Sequence, residues 1–264
     1  MCDFETAAIN EFGQAFPDAE IRGCYFHFIQ ALWRNIQEKG VSKLYISNDR
    51  VRFHLKLYKS IGFVPLKSID SAVTIIEESL NHLVSTENLP KVDSQKMADY
   101  HKYFKETWIN NPTYPRTLWN HHNMTTDCTN NNNEGFNNLL QHFVGTAHPS
   151  LYRLINDLKA IETRVNSSYL NIKNGFSEAT KRKPIYLARD TKISSLKSRL
   201  ESSQISLKRF MVETSGLYTF DKKVDSKIIA ETVIKPCFFD NFFSIFKLND
   251  IHKKKICQIR NYFF

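Results

Sequence analysis

The sequence predicts a mainly α-helical protein. Apolar residues recur at three- and four-residue spacing along most of its 264 residues, and a strand-like stretch is confined to Glu20 to Cys24. The hydrophobic content of 42%, with 20 Phe and 11 Tyr, is enough to bury a sizeable core, which excludes a disordered chain.

The first element follows from Phe4, Ala8, Phe12 and Phe16, which repeat every four residues up to Pro17 and predict a short amphipathic helix. Asp3 falls at its start, where an N-capping role is open to it. Glu20 to Cys24 is a candidate strand leading into a helix that begins near Tyr25. Tyr25, Phe28, Ile29, Leu32, Trp33 and Ile36 form that helix's buried stripe, and Lys39-Gly40 ends it. Helices are next predicted over Asp49 to Ile61 and Ser68 to Val84, the second with Ile69, Val73, Ile76, Leu80 and Leu83 on one side. Thr86 to Val92, with Pro90, is a linker. Ser94 to Ile109 follows as a helix with Met97, Tyr100, Phe104 and Trp108 as its inner edge. The loop from Asn110 to Asn123 carries Trp119, expected to be a packed anchor, and a pair, His121 and His122, open to contact with a ligand or DNA.

The stretch from Thr125 to Phe143 holds the strongest functional candidate. Helix-favouring residues begin after an asparagine run that can cap a helix start, and Phe136, Leu139, Leu140 and Phe143 fall on one stripe. At about 100° per residue, Glu134 lies roughly opposite, among Asn137, Asn138 and Gln141. A carboxylate in the first turn also fits capping and the helix dipole, so spacing alone leaves both roles open. Gly145 to Ser150 then turns the chain into a long helix marked by Leu151, Leu154, Ile155, Leu158, Ile161 and Val165. A basic turn, Lys181-Arg182-Lys183-Pro184, precedes a helix with Ile193, Leu196, Leu200, Leu207 and Phe210 on a seven-residue pattern. These two helices are expected to pair as a hairpin, with the basic turn either a solvated tip or a contact for DNA phosphate. From about Tyr218 the sequence becomes aromatic and irregular.

Thirty-six Lys plus Arg against 27 Asp plus Glu leave a formal charge of +9 and a pI near 9.2, which favours polyanionic partners without naming one. The five cysteines are widely spaced with no CxxC, which fits a reducing compartment. The start lacks the basic and apolar regions of a secretory signal, and Ile228 to Phe246 is broken by Glu231, Lys235 and Asp240, so a soluble intracellular protein with no membrane span is expected. Cys24 and His27, three apart at a helix start, are half of a four-ligand zinc site. His101, His121, His122 and Cys128 are candidates for the rest, at no recognised spacing.

Two segments resemble the Mutator-like element (MULE) transposases. Thr129-Asn130-Asn131-Asn132-Asn133-Glu134-Gly135-Phe136-Asn137 is similar to the family's segment carrying its last acidic residue. Asp3-Phe4-Glu5, Ala7-Ala8-Ile9, Phe16-Pro17 and Gly23-Cys24-x-Phe26-His27-Phe28-x-Gln30-Ala31-Leu32-Trp33 are similar to the segment around its second aspartate, with the Cys24-x-x-His27 pair matching its C-x-x-H motif. Tyr103-Phe104, Thr107-Trp108-Ile109 and Trp119-Asn120 resemble its interior markers, and the likeness spans roughly residues 1 to 215.

The resemblance implies the C-terminal remnant of a ribonuclease H-like α/β catalytic domain with a large α-helical insertion. It divides the chain into a partial core over 1–40, the insertion over 41–124, the Glu134 helix and C-terminal helices over 125–215, and a tail over 216–264. In that family two aspartates and a glutamate hold paired Mg²⁺ ions for cut-and-paste transposition of double-stranded DNA, since hard divalent ions prefer carboxylate oxygens and two of them stabilise both oxygens of a displacement at phosphorus. Carried over, Asp3 is the second ligand and Glu134 the third. The family's first aspartate lies on a strand upstream of the second, which this chain does not supply, so it is expected not to cleave DNA by itself. The resemblance further implies nuclear localisation and leaves a homo-oligomer open. Two rival expectations are a domesticated, non-catalytic DNA-binding protein and a helical protein-interaction module.

Overall fold

A computed structural model describes residues 1–124, 128–129, 131–146, 148–176, 183–221 and 224–226, with backbone alone at 131–133. The chain divides into two units, Met1–Phe220 and Asp221–Phe264, and nearly everything described belongs to the first. The mainly helical class is what the structure has. In chain order the helices are α1 (Thr6–Ala15), α2 (Tyr25–Glu38), α3 (Ser42–Ser47), α4 (Asp49–Ser60), α5 (Ile69–Thr86), α6 (Lys91–Phe104), α7 (Arg116–Trp119), α8 (Asn131–Val144), α9 (Leu151–Lys173), α10 (Pro184–Glu201) and α11 (Leu207–Ser215). Among the described residues no strand forms, and Glu20 to Cys24 contributes only a single parallel bridge, Cys2 to Gly23.

The core sits round α2 and α4. Helix α2 buries the six apolar residues that its spacing selects, and Gly40, at φ 69°, supplies the left-handed residue that ends it. Asn48 caps α4 by accepting the Arg50 and Val51 amides at 2.9 and 3.0 Å, a cap that contributes about 1 kcal/mol. Helix α4 then packs against α2, α3, α5 and α11, so it is buried almost all round, including Lys59. That lysine donates to the Tyr218 carbonyl and lies 4.5 Å from the centre of the Phe220 ring, so its charge is satisfied inside the core and the segment after α11 is held to α4. Residues 218–220 thus belong to the folded unit, whereas most of the predicted tail lies outside the described residues.

Three expectations are corrected. Helix α1 begins at Thr6 with Glu5 before it, so Asp3 is not its N-cap, and none of its residues is buried: Phe12 and Phe16 face outward. Helix α8 begins at Asn131, so three residues of the asparagine run lie within the helix rather than before it, and its stripe is only partly covered, with Phe136 exposed and Leu139, Leu140 and Phe143 half-buried. The predicted hairpin of the two long C-terminal helices is replaced by two other pairs, α8 with α9 and α10 with α11. The seven-residue pattern marked residues that are buried for a different partner, Ile193, Leu196 and Phe210 among them.

Candidate functional site

The chain's first three residues and residues 22–24 are held side by side. The Cys2 amide donates to the Arg22 carbonyl at 2.8 Å and the Cys24 amide to the Cys2 carbonyl at 2.6 Å, the alternation of a parallel ladder. Parallel neighbours need a crossover, and α1 provides it. On its other side the 22–25 segment is fixed by donation from Gly23 to the Leu118 carbonyl and from Tyr25 to the Cys128 carbonyl, both 2.7 Å. Asp3 therefore stands, exposed, at the carboxyl end of the first segment, and Cys24 is the buried N-cap residue of α2.

After Asp3 the backbone turns through Phe4 at φ 67°, a conformation that costs on the order of 1–3 kcal/mol in a bulky residue and persists only where its surroundings enforce it. Here they do. The Phe4 ring meets Trp108 edge-on at 5.2 Å and Tyr114 at 5.9 Å, and its far end occupies the place where a Cβ on residue 23 would sit, so Gly23 is required by the Phe4 ring.

Phe4 and Asp3 line one side of a pocket of about 230 Å³. His27, Gln30, Ala31 and Arg34, spaced at three and four residues, present one face of α2 to it. The opposite wall is Tyr103, Thr107 and Trp108, where α6 runs into a π-helical turn over Lys105–Ile109, and Tyr114. Such turns recur at functional sites because the extra residue re-aims the side chains it carries. His27 Nδ1 is buried there without a hydrogen-bond partner.

The structure brings Asp3 and His27 into this pocket; Glu134 is exposed in the first turn of α8 and does not line it. No group of three His, Cys, Asp or Glu side chains among the described residues is arranged to hold a metal. The surroundings of Asp3 do not fit a Mg²⁺ pair either, since the pocket is lined by one carboxylate only, with Arg34 and His27 among its other lining residues. Cys24 and His27 likewise belong to no such group of three among the described residues. The candidate ligand His101 has both ring nitrogens engaged, by Tyr58 at 2.9 Å and Glu77 at 3.2 Å.

His121 and His122 are corrected as DNA-contact candidates: both are buried. His122 Nδ1 donates to the Phe63 carbonyl at 2.8 Å, and its Nε2 lies 3.2 Å from Glu201. Burial, then the charges of Arg22 and Lys197, lower the His121 pKa to about 4, so it is neutral. Lys197 lies beside it, its own pKa lowered by burial, donating to the His121 and Met124 carbonyls at 2.8 and 2.7 Å. Trp119 is the anchor expected, fully buried, stacked on Phe28 and donating to the Trp108 carbonyl at 3.0 Å. Of the basic turn, Lys183 is exposed just before α10, and Lys181 and Arg182 lie outside the described residues.

Gln30, Arg34 and Tyr114 are the site residues that sequence reasoning missed. The signal for the first two was present, a polar row that continues from His27 along the face of α2 not taken by the apolar stripe. No family model, curated protein or solved structure matches this chain.

Proposed function

We propose that this chain is part of a MULE-type transposase catalytic region, a ribonuclease H-like remnant with its helical insertion, which binds double-stranded DNA and does not cleave it unaided. The observation that carries the reading is the parallel pairing of Cys2 with Gly23 across α1, which sets Asp3 at the carboxyl end of one segment and the Cys24-x-x-His27 pair at the start of the helix that follows the other. In parallel α/β units that end is where functional groups collect. The formal charge of +9 suits a polyanion.

A second reading, a domesticated DNA-binding protein with idle carboxylates, is favoured by Asp3 sharing its pocket with Arg34 and not with Glu134. Titration of a labelled duplex into the full chain, with and without Mg²⁺ and at rising salt, tests both. Retention that weakens with salt and no nicking are expected. Mg²⁺-dependent nicking that disappears in Glu134→Gln would show that the chain cleaves, and no retention at low salt would remove DNA from the proposal.

A further inference from the structure

Helix α9 carries an apolar seam that the rest of the described chain leaves open. Leu151, Ile155, Leu158, Glu162, Val165, Tyr169 and Ile172 follow one another at alternating spacings of four and three residues, the 3.5-residue repeat of a helix that pairs with another helix. The six apolar members are 42 to 73% exposed. The helix packs on α8 through a different face, about a quarter turn round, where Ile161 is buried, Arg153 donates to the Val144 carbonyl at 3.0 Å and Arg164 lies over the Phe143 ring. The open seam is therefore not a frayed packing face but a second one. Singly scattered exposed apolar residues are ordinary; six in heptad register are a contiguous patch.

We infer that α9 is a dimerisation helix, pairing antiparallel with α9 of a second copy of this chain. The repeat specifies a helix as the occupant, because only a helix fills a 3.5-residue seam knob into hole. A helix of 23 residues is about 35 Å long, and pairing along it buries on the order of 1,000 Å² in total, the lower edge of specific interfaces. Self-pairing thus gives a concentration-dependent dimer. Glu162 sets the direction. A parallel, in-register pair would bring Glu162 against its own copy in the seam, whereas an antiparallel pair centred between Glu162 and Val165 sets it against an apolar residue and opposes the two helix dipoles. In that register Ile155 faces Ile172 of the second copy. The inference stands whether or not the chain binds DNA.

Sedimentation velocity of the full chain from about 1 to about 100 µM should show monomer passing to dimer, as an interface of this size predicts. Leu158→Lys and Val165→Lys, both at exposed positions, should weaken dimerisation at least about tenfold with unchanged helical circular dichroism, and Ser167→Lys, on the other side of the helix, should not. Ile155→Cys mixed with Ile172→Cys should form an intermolecular disulfide. A monomer at every concentration, or seam variants that dimerise as the wild type does, would overturn the inference. Disulfide formation through residue 155 by Ile155→Cys alone would overturn the antiparallel arrangement.

Discussion

Helices α4 and α9 are both amphipathic by sequence, yet eight of the twelve residues of α4 are buried and one of the twenty-three in α9. The difference lies in what surrounds them. Helix α4 has four neighbours and a cap, and even its Lys59 is taken up by a carbonyl and an aromatic ring. Helix α9 leans chiefly on α8, itself half exposed. An apolar stripe therefore states that a helix has a partner, and it is silent on whether that partner lies in the same chain. The sharpest way to break the contrast is at the centre of the core. Trp119→Ala removes a fully buried ring, its stack on Phe28 and its hydrogen bond to Trp108, and should cost about 3–5 kcal/mol in denaturant unfolding. A loss below about 1 kcal/mol would show that the region is not packed as described.

How much of this was legible in the sequence follows the same division. Helices α2, α4, α5 and α6 could be read because their apolar rows coincide with the faces the core takes. Helix α3, six residues with Tyr45 alone buried, and the four-residue α7 are too short to show a period, and the π-helical turn after α6 has no spacing signature at all. Of the candidate site, Asp3 and His27 could be picked out by residue type, and so could the row on α2 that ends at Arg34. Tyr114 could not, because it reaches the pocket only when the loop before α7 is folded against Phe4. Reading His121 and His122 as open to DNA failed for a related reason: their polarity suggested exposure, and the carbonyl and the carboxylate that meet the His122 ring come from the turn after α4 and from α10, distant in the sequence.

Acid should distinguish the two regions further. His54, buried against Ser79 at 3.0 Å, has its pKa lowered to about 3 by burial and then by the nearby His101; His121 is lowered to about 4. Both are neutral in the folded protein and take up a proton in the unfolded chain below about pH 6.5. The unfolded state then binds more protons than the folded one, so stability is fully present above pH 6.5 and is lost as the pH falls towards 4. Each histidine contributes a slope of roughly 1.4 kcal/mol per pH unit across that window. Chemical denaturation at pH 7, 6 and 5 should show the decline, and His54→Gln should remove about half of it. A stability that does not change between pH 7 and 5 would place neither ring in a dry interior.

The smallest effect is expected where the sequence looks most apolar. Val165 belongs to the outer seam of α9 and is more than half exposed, so Val165→Ala removes little that the monomer has buried and exchanges a β-branched residue for a better helix former. Measured well below the dimer range, its effect should stay within about 0.5 kcal/mol of zero. Ile161 lies four positions earlier on the same helix, buried on the α8 side, and Ile161→Ala should cost about 2 kcal/mol or more. Raising the protein concentration should widen the cost of Val165→Ala and leave that of Ile161→Ala in place, because a dimer adds its free energy to every residue that the second copy covers. Two equal costs at low concentration would mean that both faces of α9 are already packed within one chain.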